Sequence, residues 1–195
     1  MLPEKVKQLA AILSNLPGIG PRQAIRLAIH ISKSEAFKSE LLNTLESLAD
    51  TKQCSQCFFI HDRANDLCLI CSDKNRDQET IAIVEKITDL LSLEQSGTYK
   101  GRYLVLGTLK RDGMLNEGHK EKINLLKQQF GAKKAKEIIL CLSPSNHGEI
   151  NSATLESELK KSAEKITRLA TGIPTGGDIE FADEKTLEGA LKNRS

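Results

Sequence analysis

The sequence predicts an α+β chain of several modules. These are an N-terminal helical hairpin, a small four-cysteine module, an α/β unit with a mainly parallel sheet, and a short strand–helix tail. Three observations carry that reading. Apolar residues repeat at helical spacing through the first fifty residues. Four of the five cysteines fall in two Cys-x2-Cys pairs between positions 54 and 71. After residue 79, short β-branched runs alternate with helical stretches, as in a parallel sheet with crossover helices. The module boundaries follow as 1–53, 54–78, 79–172 and 173–195.

Val6, Leu9, Ala10 and Leu13 give the first helix its apolar side, and Pro3 suits a first turn. Leu16-Pro17-Gly18-Ile19-Gly20-Pro21 is too rich in glycine and proline to continue it. A second helix is expected from about Pro21 to Ser32. A third is expected over 35–50, with Leu41, Leu42, Leu45 and Leu48 on its apolar side. Strands are expected at Thr80–Val84, Tyr103–Leu106 and Ile138–Leu142, with a weaker one at Ile166–Ala170. Helices are expected near 87–95, 117–130 and 152–164. Asp178–Phe181 reads as a last strand, and Asp183 as the cap of a last helix reaching about Leu191.

With 39% hydrophobic and 28% charged residues, the 195-residue chain can bury a core and stay soluble. It has no apolar run of about 18 residues, and so no expected membrane span. The N-terminus Met-Leu-Pro-Glu-Lys lacks the features of a signal peptide, so the expected location is the cytoplasm. The net charge of +2 is unevenly spread. Residues 1–34 and 100–136 are basic, and the remainder to the C-terminus is acidic. An anionic partner or plain solvated helix faces would both fit that pattern.

Cys54-x2-Cys57 and Cys68-x2-Cys71 are two knuckles. Two residues between thiols let one tight turn offer both to a single ion, and four thiolates complete a zinc tetrahedron. Such a closed shell leaves no position for water, so the expected cofactor is one structural zinc per subunit. The segment between the pairs has little to bury, so metal would supply its folding energy. His61 reads as a surface-loop histidine outside the ligand set. Cys141 reads as a small core residue in a strand.

Leu16-Pro17-Gly18-Ile19-Gly20-Pro21-Arg22-Gln23-Ala24 matches the hairpin of a helix-hairpin-helix motif. Gly18 and Gly20 permit tight turns and keep side chains away from the backbone. Amides there and at the start of the next helix can approach a phosphate. Arg22 and Arg26 lie four apart on one helix face beside it. Contacts of that kind give DNA affinity without reading sequence. No glycine-rich segment ends in Gly-Lys-Ser/Thr, so no nucleotide site is expected.

Val84-Glu85 places a carboxylate at the end of the first strand of the α/β unit, where ligand chemistry often sits. The unit resembles the Toprim fold of topoisomerases and primases, in which such a glutamate works with a later Asp-x-Asp pair holding magnesium. Here the later strand end reads Ser143-Pro144-Ser145-Asn146-His147-Gly148-Glu149, with one carboxylate only. A hard divalent ion prefers several oxygen ligands. Helical hairpin, four-cysteine module, degenerate Toprim unit and short tail, in that order, resemble the RecR family of recombination mediators over essentially the whole chain. Gly101–Leu106 and Gly172–Glu180 add to the likeness.

The resemblance implies a non-catalytic protein that forms a dimer or tetramer able to surround DNA. It implies RecO-like and RecF-like partners, with which such proteins help load recombinase onto gapped or single-stranded DNA. It assigns DNA contact to Arg22 and Arg26, beside Gly18 and Gly20, and partner contact to Glu85 and Glu149. His147 stands where the family commonly carries an acid. Two other readings compete. A magnesium-dependent nuclease or primase-like enzyme is opposed by the missing Asp-x-Asp. A scaffold that never touches DNA is opposed by Arg22 and Arg26.

Overall fold

The computed structural model describes residues 1–131 and 133–194. The chain divides into two compact units, Met1–Lys52 and Gln53–Ser195.

The first unit is three helices: α1 (Glu4–Leu13), α2 (Pro21–Lys33) and α3 (Glu35–Ser47), followed by a 3-10 turn at Leu48–Asp50. Small residues set the approach of α1 and α2. Ala10, Ala24 and Ala28 are buried together, and Val6, Leu9, Leu13 and Ile19 pack around them. Pro21 occupies the first turn of α2, where its missing N–H costs nothing. Ser34 starts α3 by accepting the Phe37 N–H at 3.2 Å. The leucine side of α3 is not buried within the unit. Leu42, Leu45 and Leu48 are all more than half exposed.

The second unit opens with the cysteine module. Strands β1 (Lys52–Gln53) and β2 (Ile60–His61) pair around the first knuckle, and the short helix α4 (Leu69–Ser72) carries the second. The α/β part holds β3 (Thr80–Val84), α5 (Ile87–Gln95), β4 (Arg102–Val105), α6 (Glu117–Phe130), β5 (Ala135–Cys141), α7 (Asn146–Leu159) and β6 (Ala163–Arg168). Helix α8 (Glu184–Lys192) ends the chain. The sheet is parallel throughout, in the order β4-β3-β5-β6.

Alternation along the strands divides the core. Ile81, Ile83, Leu104, Ile138 and Leu140 face Ile123 and Leu126 of α6 and Leu155 and Leu159 of α7. Ala82, Val84, Tyr103, Val105 and Cys141 face Leu90 of α5 and the four cysteines. Both faces are therefore covered, which suits strands that are apolar on both sides. No helix among the described residues is long and apolar enough to cross a membrane.

Several sequence expectations shift, β5 among them, which begins at Ala135 rather than Ile138. The helix expected over 152–164 is α7, beginning at Asn146, because Ser145 caps it by accepting the Gly148 N–H at 3.2 Å. The strand expected at 166–170 begins at Ala163, where it pairs with Ala135. Asp178–Phe181 is not a strand: Ile179–Phe181 is an exposed 3-10 turn. Among the described residues no neighbouring strand pairs with it, and its bonds are local, as in Ala182 N–H to Ile179 at 3.2 Å. Asp183 does cap α8, accepting the Thr186 N–H at 3.0 Å.

Candidate functional sites

The cysteine cluster is the most completely formed site. Sγ atoms of Cys54, Cys57, Cys68 and Cys71 all lie within 4.8 Å of one another. Both knuckles are shaped by the backbone. The Phe58 N–H bonds the Cys54 carbonyl at 3.0 Å, and Phe58 takes a left-handed φ of 63° to close the turn. Cys68 caps α4, with the Cys71 N–H 3.5 Å from its sulfur. The neighbouring thiols of Cys57, Cys68 and Cys71 hold the Cys54 thiol below its ordinary range, and those of Cys54, Cys57 and Cys68, together with burial, push Cys71 up. Four buried soft donors with one another as neighbours fit a metal ion held in a tetrahedron. His61 is not part of the group. It sits half-buried in β2, with Nδ1 accepting the Arg63 N–H at 3.2 Å. Cys141 is buried under α5, and burial pushes its thiol up to about 12.

The hairpin between α1 and α2 is open at its tip. Gly18 has φ 80°, which only glycine adopts freely, and a Cβ at Gly18 or Gly20 would meet nothing within 4 Å. Ile19 turns inward to the alanine core. The N–H groups of Arg22 and Gln23 donate to no acceptor among the described residues. Arg22 and Arg26 are exposed, line one depression with Gly20, and form no ion pair among the described residues. The spacing thus places two free cations beside two free amides.

The third site lies at the carboxyl ends of β3 and β5. Strand β4 leaves β3 on one side and β5 returns on the other, so this is the switch point of the sheet. A cavity of about 330 Å³ there is lined by Glu85, Lys86, Arg111, Ser143, His147 and Asn151. One oxygen of Glu85 accepts the Leu109 N–H at 3.1 Å. Glu149 does not join it. It faces away from the cavity and binds Arg168 at 3.0 Å. Among the described residues the cysteines are the one close group of three or more metal-competent side chains.

Two features gave no sequence signal. Arg76 and Tyr103 converge on the Glu94 carboxylate, at 2.9 and 2.7 Å. Lys122, at the base of α6, donates to the carbonyls of Val105 and Leu106 and lies 4.8 Å from the Phe58 ring centre. Each joins residues far apart in the chain, so no local spacing could have marked them.

Comparison with known proteins gives two family matches. Residues 79–170 match the Toprim domain, and residues 172–195 match the domain described as RecR, C-terminal. Curated relatives match over nearly their whole length. Recombination protein RecR of Thermus thermophilus is 39% identical over 196 residues, covering 98% of this chain and 97% of that protein. Recombination protein RecR of Gloeobacter violaceus is 38% identical over 203 residues, covering 100% and 98%. Recombination protein RecR of Moorella thermoacetica is 40% identical over 196 residues, covering 98% and 96%.

Proposed function

The chain belongs to the RecR family of recombination proteins, and from that premise we propose a cytoplasmic, non-catalytic mediator that binds DNA as an oligomer. The oligomer is a dimer or tetramer acting as a clamp. With RecO-like and RecF-like partners it helps load recombinase onto gapped or single-stranded DNA.

The observation that carries this reading is the hairpin: free Arg22 and Arg26 beside free amides, behind Gly18 and Gly20. A phosphate meets charge and N–H donors there, and nothing reads a base. The cysteine quartet holds one structural zinc. Glu85 and Glu149 are the acidic contacts for protein partners, from two separate places on the unit. The exposed leucines of α3 and the exposed Ile179 and Phe181 are apolar surface that self-association would cover. Among the described residues Glu85 belongs to no close group of three metal-competent side chains that could hold a hard cation, which opposes strand cutting.

The test is an anisotropy titration of gapped DNA across a salt series, with a nicking assay on circular DNA beside it. Salt-sensitive, sequence-independent binding is expected, without magnesium-dependent cleavage. Cleavage that vanishes in Glu85→Gln would overturn the reading, as would absence of binding at low salt.

A further inference from the structure

The loop that leaves β4, residues 107–113, carries the basic pair Lys110 and Arg111. Its backbone is pinned from three directions. Glu85, beyond β3, accepts the Leu109 N–H at 3.1 Å. Asn151 of α7 donates from Nδ2 to the Lys110 carbonyl at 3.0 Å. From α6, Lys122 holds the Leu106 carbonyl at 2.9 Å. Leu109 is buried in the core, and Gly113 turns the chain at φ 77° against Ile150. The chain is thus held at Leu106, Gly107, Leu109, Lys110 and Gly113.

Its cations are left outside. Lys110 and Arg111 are exposed, and neither they nor Lys86 form an ion pair among the described residues. Arg111 and Lys86 line the 330 Å³ cavity where α7 begins. The N–H groups of Asn146 and His147, in the first turn of that 14-residue helix, donate to no acceptor among the described residues. Three acids are nearby, and Asp89 accepts the Lys86 N–H at 2.9 Å. Glu85 already receives the Leu109 N–H, and one oxygen of Asp112 accepts the Met114 N–H at 2.9 Å. Each of the three carboxylates is engaged with backbone, whereas the three cations form no ion pair among the described residues.

A rigid loop that orders its own backbone and leaves two cations unpaired has already met the entropic cost of presenting them. Helix-start amides beside the same cavity supply directed donors for phosphate oxygens. We infer that residues 107–113, with the first turn of α7, form a second contact for the sugar-phosphate backbone of DNA, carried by the α/β unit rather than the hairpin. This rests on the reading of the chain as a DNA-binding protein. The contact is electrostatic and does not select sequence.

The experiment compares Lys110→Ala with Arg111→Ala (K110A/R111A), the charge-keeping swap K110R/R111K, and R22A/R26A, all in the full chain. Each is titrated onto fluorescent gapped DNA across a sodium chloride series. Both loop side chains are exposed, so melting temperature should hold. K110A/R111A is expected to weaken low-salt binding and flatten the log–log salt slope by roughly 1 to 2 per subunit. K110R/R111K should keep the wild-type slope. Wild-type binding with an unchanged slope in K110A/R111A overturns the inference alone and leaves the hairpin reading intact. A K110R/R111K protein as weak as the alanine pair also overturns it, since charge would then not be the cause. A wild-type protein with no salt-sensitive binding overturns the DNA reading and this inference with it.

Discussion

Val105 donates its backbone N–H to the carbonyl of Cys57 at 2.9 Å. Strand β4 is the edge of the sheet, and that bond lets the first cysteine knuckle cover it. The four cysteines also share one buried cluster with Ala82, Val84 and Tyr103. The cysteine module is therefore a cap on the α/β core rather than an independent finger.

Metal removal should reach the sheet. Purified protein is expected to carry one zinc, and chelation or Cys57→Ala should destabilise the second unit by several kcal/mol. Amide exchange at Tyr103 and Val105 should rise with it. Thiols must lose protons to bind metal, so zinc affinity should fall as pH falls. Elemental analysis and hydrogen exchange decide this. Unchanged protection along β4 in metal-free protein would show the knuckle to be separate from the sheet.

Glu94 should contribute stability that acid removes. Burial raises its carboxyl, but hydrogen bonds from Arg76 and Tyr103 outweigh that and hold it below the ordinary range. Arg76 also bonds the Gly101 carbonyl at 3.0 Å, so the cluster ties the segment before β3 to α5 and β4. A depressed carboxyl stabilises fully above its unfolded value, about 4.3, and the contribution is lost as pH falls through the folded value. Glu94→Gln should cost about 1 to 3 kcal/mol near neutral pH. In urea melts the gap to wild type should narrow below about pH 4. A gap independent of pH would count against the charged network.

The modules were legible because their signals are local. Cysteine spacing, the Gly-Pro hairpin and the β-branched runs each lie within a few residues, and all three survive in the structure. Ends set by single side chains were less visible. Ser145 starts α7 well before the helix expected from apolar spacing, since a cap is one residue and carries no period. Ile179–Phe181 has strand-like residues but no strand to pair with among the described residues, and strandedness is a property of the pair. Glu85 and Glu149 are both strand-end acids in sequence. Only the path of α7 decides that one faces the cavity and the other Arg168. The anchors of the 107–113 loop come from β3, α6 and α7, so they became visible only once those elements were placed.

Two glycine substitutions should separate folding from binding. A Cβ at Gly148 would run into the Ser143 carbonyl oxygen. Gly148→Ala should therefore displace the start of α7 and cost about 1 to 3 kcal/mol. A Cβ at Gly20 would meet nothing within 4 Å. Gly20→Ala should cost about 1 kcal/mol or less, yet weaken DNA binding because a methyl group stands where a phosphate approaches the amides. Thermal melts and anisotropy together test the contrast. Wild-type DNA affinity in Gly20→Ala would remove the hairpin tip from the contact surface.

Arg22 and Arg26 should carry phosphate affinity. They lie one helical turn apart on α2, both exposed and without an ion pair among the described residues. Neutralising a phosphate releases condensed counterions and contributes about 0.7 to 0.9 to the log–log salt slope. Replacing both with alanine should flatten the slope by roughly 1 to 2 per subunit and weaken binding most at low salt. The decrease should be the same on unrelated sequences, because no base edge is read. Stability should be nearly unchanged, since the α1–α2 contact is made by Ala10, Ala24 and Ala28 and not by either arginine. Lysine at both positions should restore most of the slope, as charge rather than bidentate geometry is the requirement. A double alanine variant with wild-type affinity and slope would move the contact to the α/β unit. A variant that loses affinity on one sequence only would contradict a backbone contact altogether.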